Sequence, residues 1–196
     1  MKTTNKKRMS TETLVLGAIL TALVVVLQMM GSFIRLGPFQ IALVLIPIVI
    51  GAATCGVKMG AWLGFVFGVV VLLNGDAAPF LTVNAPATVL VVLVKGTACG
   101  LVAGIIYKLI APFNRYVAVV VAAIVCPVVN TGVFLVGCVL FFFETISAWG
   151  LANGFDTTIQ YMFLGLAGGN FLFELLFNIV LSPVIVRVLN IRNNHN

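Results

Sequence analysis

Charge is what this sequence has least of. Only 8% of its 196 residues are Asp, Glu, Lys or Arg, where a soluble domain carries about 25%. Histidine is nearly missing as well, and the single copy, His195, lies in a polar tail. There is no HExxH, no GxSxG and no histidine cluster, so metalloenzyme and hydrolase chemistry have no support. A GxxxxGK[ST] phosphate loop is also lacking, which excludes ATP hydrolysis by that route. The four cysteines, Cys55, Cys99, Cys126 and Cys138, form no CxxC pair and each sits inside an apolar run. They read as small packing residues. The chain is therefore read as a non-enzyme with no metal and no cofactor.

Apolar residues take the place of the missing charge. They make up 62% of the chain, and the mean hydropathy is +1.22. A soluble chain of this size buries only about 70% of its unfolded surface, too little to hide so much hydrocarbon from water. Lipid is the expected solvent. The formal net charge of +6 raises nucleic acid as a partner. The basic residues, however, stand between long apolar runs and form no patch, so none is expected.

The runs divide the chain into one domain, 1–196, with six membrane-spanning helices. A span needs roughly 20 apolar residues. The expected spans are 12–32, 40–56, 58–73, 86–110, 116–143 and 160–189, after a tail at 1–11. Lys6-Lys7-Arg8 ahead of Thr13 to Met30 has the look of a secretory signal. The run is longer than a typical signal core and no small-residue cleavage site follows, so it is read as a retained first span. Breakers separate the runs: Leu36-Gly37-Pro38, Cys55-Gly56, Asn74-Gly75-Asp76, Pro112-Phe113-Asn114, and the long stretch from Glu144 to Gln160.

Six crossings put alternate loops on one side. Lys2, Lys6, Lys7, Arg8, Lys58, Lys108, Arg115, Arg187 and Arg192 then share a side, and Arg35 alone falls opposite. By the positive-inside rule both termini are cytoplasmic. The longer polar connections lie outside, where an outward-facing site is expected.

Two kinds of residue stand out within the spans. Gly60, Gly64 and Gly68 form one ladder, and Gly96, Gly100 and Gly104 another. Spacing by four puts each set on one helix face, where small residues let backbones approach. Packing inside the bundle and docking of a partner both answer to that pattern. Ala18 and Ala22 repeat it in the first span.

Polar groups at membrane depth are the second kind. A charge there costs about 2.5–3.5 kcal/mol on insertion scales and usually marks a site or a partner. Lys95 lies roughly 13 Å into its span at about 1.5 Å per residue. Asn130 sits mid-span in the fifth helix. Asn170, Glu174 and Asn178 share a face of the sixth through their i, i+4, i+8 spacing. A structural Lys95–Glu174 ion pair, a ligand cavity and a proton relay are the three readings. Arg35 is either a snorkelling interface residue or a contact for an anionic ligand. Trp149, Phe155 and Tyr161 either cap such a site or anchor in the aromatic belt.

At this point the sequence resembles the substrate-binding S component of an energy-coupling factor (ECF) vitamin transporter. The resemblance rests on Leu36-Gly37-Pro38, on Ile46-Pro47, and above all on the stretch from Gly56 to Gly68, GVKMGAWLGFVFG. Val129-Asn130-Thr131, Asn170 and Asn178 add to it. It implies six helices in a bacterial cell membrane and a vitamin site near the outer face. The substrate-binding candidates are then Arg35, Asn84, Lys95, Asn130, Asn170 and Glu174. It further implies docking through Ala18 and Ala22 onto a transmembrane coupling protein that works with two cytoplasmic ATPase subunits. The closest-looking subgroup suggests pantothenate, whose carboxylate Lys95 and Arg35 would neutralise. Riboflavin and a pyridoxine-type vitamin are the alternatives. A stand-alone proton-coupled transporter, with Glu174 as carrier, and a lipid-modifying membrane enzyme are the rival classes.

Overall fold

A computed structural model of the chain describes residues 11–31, 35–36, 39–40 and 43–193. For 35–36, 39–40 and 188–193 the description covers the backbone alone. The order of elements is α1 (Thr11–Gly31), a two-strand hairpin β1 (Arg35–Leu36) and β2 (Phe39–Gln40), α2 (Leu45–Cys55), α3 (Val57–Leu73), α4 (Ala78–Leu81), α5 (Ala85–Ile110), α6 (Arg115–Phe141) and α7 (Phe143–Ala152). The last long rod starts with α8 (Thr158–Gln160), continues as a π-helix (Tyr161–Gly168) and ends as α9 (Gly169–Asn193). Four stretches are long and apolar enough to cross a membrane: Thr11–Gly31, Ala85–Ile110, Arg115–Phe141 and Thr158–Arg187. Leu45–Cys55 and Val57–Leu73 are shorter apolar helices.

The ends of these helices have local causes. Asn84 and Asn114 cap α5 and α6: Asn84 Oδ1 accepts from Ala87 N at 3.2 Å, and Asn114 Oδ1 accepts from Tyr116 N at 2.9 Å. Each satisfies an N–H that the first turn leaves without a partner. Between α2 and α3, Gly56 adopts φ 93°, a conformation that side chains with a Cβ resist. A second helix starting at 40 was expected, but α2 starts at Leu45. Pro47 explains the difference. It has no N–H, so it fits a first turn, whereas in a helix begun at 40 it would break the hydrogen-bond ladder. Residues 39–40 instead pair with 35–36, in the register Arg35 with Gln40 and Leu36 with Phe39.

The bundle is built around α2. This short helix touches α1, α3, α5, α6 and α9, and Leu45, Ile48 and Val49 on it are fully buried. Polar residues are inside too: Gln28, Thr88, Asn130, Glu174, Asn178 and Ser182 are all buried. The exterior is aliphatic, with Leu140 68% exposed and Val180 69% exposed. Buried polar groups within an apolar exterior suit a hydrocarbon surround.

The two glycine ladders face each other. A Cβ at Gly60 would lie 2.5 Å from the carbonyl oxygen of Gly100, and one at Gly68 would lie 2.9 Å from that of Val92. Between them, Gly64 and Gly96 abut each other's carbonyls even more closely. Of the two readings of this pattern, packing inside the bundle is the one realised. The seam joins α3 to α5 backbone to backbone, with no side chain that can yield. Gly132 on α6 has open space around it. Gly64→Leu is therefore expected to lower stability by about 3 kcal/mol or more through overpacking, while Gly132→Ala is neutral or gains up to about 1 kcal/mol. Thermal unfolding of the detergent-solubilised variants checks both.

Candidate functional site

Because α2 has eleven residues, it rises only about 16 Å, roughly half of a ~30 Å hydrocarbon core. It packs beside the second half of α5, where Ile48 meets Gly100 and Ala52 meets Gly104. Beside the first half of α5 the described residues leave a cavity of about 800 Å³. That volume is in the range of small-molecule sites.

Three long helices supply polar groups to it. Thr88 and Lys95 project from α5, Asn130 and Thr131 from α6, and Asn170 and Glu174 from α9. The spacing that put Asn170 and Glu174 on one face also places Asn178 a turn below, where its Nδ2 donates to the Glu174 carbonyl at 2.7 Å. Asn130 is 5% exposed, and its Oδ1, like that of Asn170, is buried without a hydrogen bond. Such groups cost free energy until something pairs with them. The Lys95 ammonium nitrogen lies 5.1 Å from the centroid of the Phe134 ring and 5.9 Å from that of Phe67. Ring faces at this range attract an ammonium group.

Aromatic side chains make the rest of the wall. Phe80 on α4 meets Phe134, Phe142 and Trp149 edge-on, at centroid distances of 5.6, 5.2 and 5.4 Å. Each such pair contributes about 0.5–1.5 kcal/mol beyond area burial, so Phe80 fastens the α3–α5 connection to α6 and α7. Tyr161 opens the π-helix and packs on Phe155 at 5.3 Å. Its side chain lies against two glycines: a Cβ at Gly150 would lie 3.0 Å from the Tyr161 Cβ and 3.4 Å from its ring, and one at Gly165 would collide with the ring. At the end of α1, Gln28 Nε2 donates to Asp76 Oδ2 at 2.8 Å. This bond ties the first helix to the turn after α3.

Four of the six candidate residues from the sequence, Lys95, Asn130, Asn170 and Glu174, therefore border one space. Asn84 does not. Its Oδ1 caps α5, and the residue lies outside the lining. The Arg35 side chain falls outside the described residues. Trp149, Phe155 and Tyr161 all border the cavity. Sequence reasoning passed over Gln28, Phe67, Phe80 and Phe134, and noted Asp76 only as a loop charge. Gln28 had a signal, being a polar residue in an apolar run. The phenylalanines had none, since a phenylalanine facing lipid and one facing a cavity look alike in sequence.

A lipid-facing shell around a partly polar chamber defines a membrane-embedded binding protein. The chain belongs to the family described as "ECF transporter, substrate-specific component", whose model matches residues 12–186. It is thus a multi-pass membrane protein and a substrate-binding component of transport. Comparison with curated proteins and with solved structures finds no match.

Removing the Asn84 cap separates its structural part from any ligand contact. Asn84→Ala is expected to cost about 1 kcal/mol of stability with ligand affinity unchanged. Thermal unfolding and calorimetric titration of the same variant measure the two quantities.

Proposed function

We propose that the chain captures a vitamin or related small molecule from outside a bacterial cell and delivers it in complex with a transmembrane coupling protein and two cytoplasmic ATPases. The observation that carries this reading is the chamber in which Lys95, Asn130, Asn170 and Glu174 converge within the apolar bundle. The chain crosses the membrane six times, with α2 and the hairpin before it together making the second crossing. Both termini are cytoplasmic, as the basic loops require. The chamber then opens outward, since the ends of α1 and α3 and the start of α5 border it. Asn130, Asn170, Lys95 and Glu174 contact the ligand, and Arg35 stands at the mouth. Pantothenate is the candidate that the cations suggest, and riboflavin and a pyridoxine-type vitamin are the ring-bearing alternatives. ATP hydrolysis, performed by the partner subunits, drives reorientation of the whole component.

Ala18 and Ala22 form the docking face. Both are exposed, while the buried side of α1 carries Gly17, Leu20, Val24 and Gln28. Two small exposed residues four apart leave a shallow groove into which a partner helix fits closely. Ala18→Leu with Ala22→Leu is expected to leave ligand affinity unchanged and to abolish co-purification with the coupling protein and ATPases. Retained assembly would reject this face.

Lys95→Ala is expected to weaken ligand binding by about tenfold or more, equivalent to about 1.4 kcal/mol, in protein that still unfolds cooperatively. Calorimetry against the small molecule retained on purification, identified by mass spectrometry, is the test. Unchanged affinity would remove Lys95 from the site. Uptake by the chain alone, without ATP, would overturn the importer reading.

A further inference from the structure

The walls of the chamber say more about its occupant than the cation on its floor does. Eight aromatic side chains border it, in a chain that is only 10% aromatic. They are not an undifferentiated greasy lining. Phe134 belongs at once to the Phe80 cluster and to the surround of Lys95. It joins an aromatic wall to the polar floor. Aromatic pairs favour edge-to-face and offset geometry, and a planar ligand completes such an arrangement where a flexible aliphatic chain leaves the ring faces unmatched.

The electrostatics run the same way. Lys95 is the only cation among the described lining residues. Its ammonium lies 5.9 Å and 5.1 Å from the ring centroids of Phe67 and Phe134. A ligand carboxylate would meet Glu174 and Asp76 as well as Lys95, since all three border the same space. Like charges repel strongly where water is scarce. The amide groups of Asn130 and Asn170, each with a buried oxygen lacking a hydrogen bond, call for a hydrogen-bond donor on the ligand. An amide both donates and accepts, and the edge of a heteroaromatic ring with hydroxyl, carbonyl or ring-nitrogen groups does the same.

We infer that the chamber is built for an uncharged or cationic heteroaromatic compound, held by its ring faces against Phe134 and its neighbours and by its polar edge against Asn130 and Asn170. The inference rests on the chain being a substrate-binding subunit and selects among the ligands open to that reading. It disfavours pantothenate, an aliphatic acid, and favours the ring-bearing alternatives.

Tryptophan emission provides the test. Trp149 borders the chamber, whereas Trp62 stands 52% exposed on α3. In full-length Trp62→Phe protein the emission therefore reports Trp149 alone. The protein is titrated with pyridoxine, riboflavin and pantothenate, with calorimetry in parallel. The expected result is that one ring compound binds about a hundredfold more tightly than pantothenate and changes Trp149 emission. Phe134→Leu should weaken that binding by about tenfold, with Phe155→Leu as the second variant if Phe134→Leu does not fold. Tightest binding by pantothenate would overturn the ring assignment and leave the binding-subunit reading standing. A ring compound whose affinity ignores both Phe134→Leu and Phe155→Leu would also overturn it. No binding by any of the three, with no coupling subunits co-purifying, would end both readings.

Discussion

An eleven-residue helix cannot reach across a bilayer, and the other helices are arranged around that constraint. Where α2 is present, its side chains fill the centre of the bundle and make a dry core of Leu45, Ile48 and Val49. Where it is missing, the surrounding helices still run on. Their inward faces must then pack together or enclose a space. They enclose one, and the polar side chains at that level, Lys95, Asn130 and Glu174, border it instead of facing hydrocarbon. The cost of polar groups at membrane depth and the shortness of α2 thus have the same structural answer.

The shortness of α2 demands stiffness elsewhere. A chamber of about 800 Å³ removes packing that would otherwise hold its walls. The glycine seam between α3 and α5 supplies rigidity by letting two backbones meet directly, without adaptable side chains between them. The Phe80 cluster and the Gln28–Asp76 bond do comparable work around the chamber, fastening the connections to the helices. The same division assigns faces to α1. Its Gly17 side lies against Met59 in the bundle, and its Ala18 and Ala22 side remains exposed.

Much of this was legible in the sequence because it is written in residue types with a single physical meaning. Glycines spaced by four can only serve close approach, so the ladders marked the seam before their partners were known. Lysine, asparagine and glutamate inside apolar runs marked the chamber, since lipid tolerates them poorly. Asn114 stood among the breakers ahead of α6, whereas Asn84, read as a ligand contact, caps α5 through its Oδ1. What escaped was written in ambiguous residues. The start of α2 depended on weighing Pro47 against a continuous apolar run. The connection at 144–160 holds Gly150, Asn153 and Gly154, which suggest a loop, yet the ten residues of α7 run as far as Ala152. The π-helix at Tyr161–Gly168 has no compositional mark. Phe67, Phe80 and Phe134 face the chamber, but nothing local distinguishes them from phenylalanines facing lipid.

A chamber open to the outer face lets a water-soluble reagent reach its lining, whereas a position packed in the core stays closed to it. Thr131 borders the chamber, whereas Ala103 is fully buried in the core. Single cysteines at these two positions, in protein with Cys55, Cys99, Cys126 and Cys138 replaced, can be exposed to a membrane-impermeant maleimide on either side of the membrane. Thr131→Cys should react from the outer side only, and Ala103→Cys should stay unreactive from both. Equal protection of the two positions, or labelling of Thr131→Cys from the cytoplasmic side alone, would contradict the half-length helix as the origin of the site.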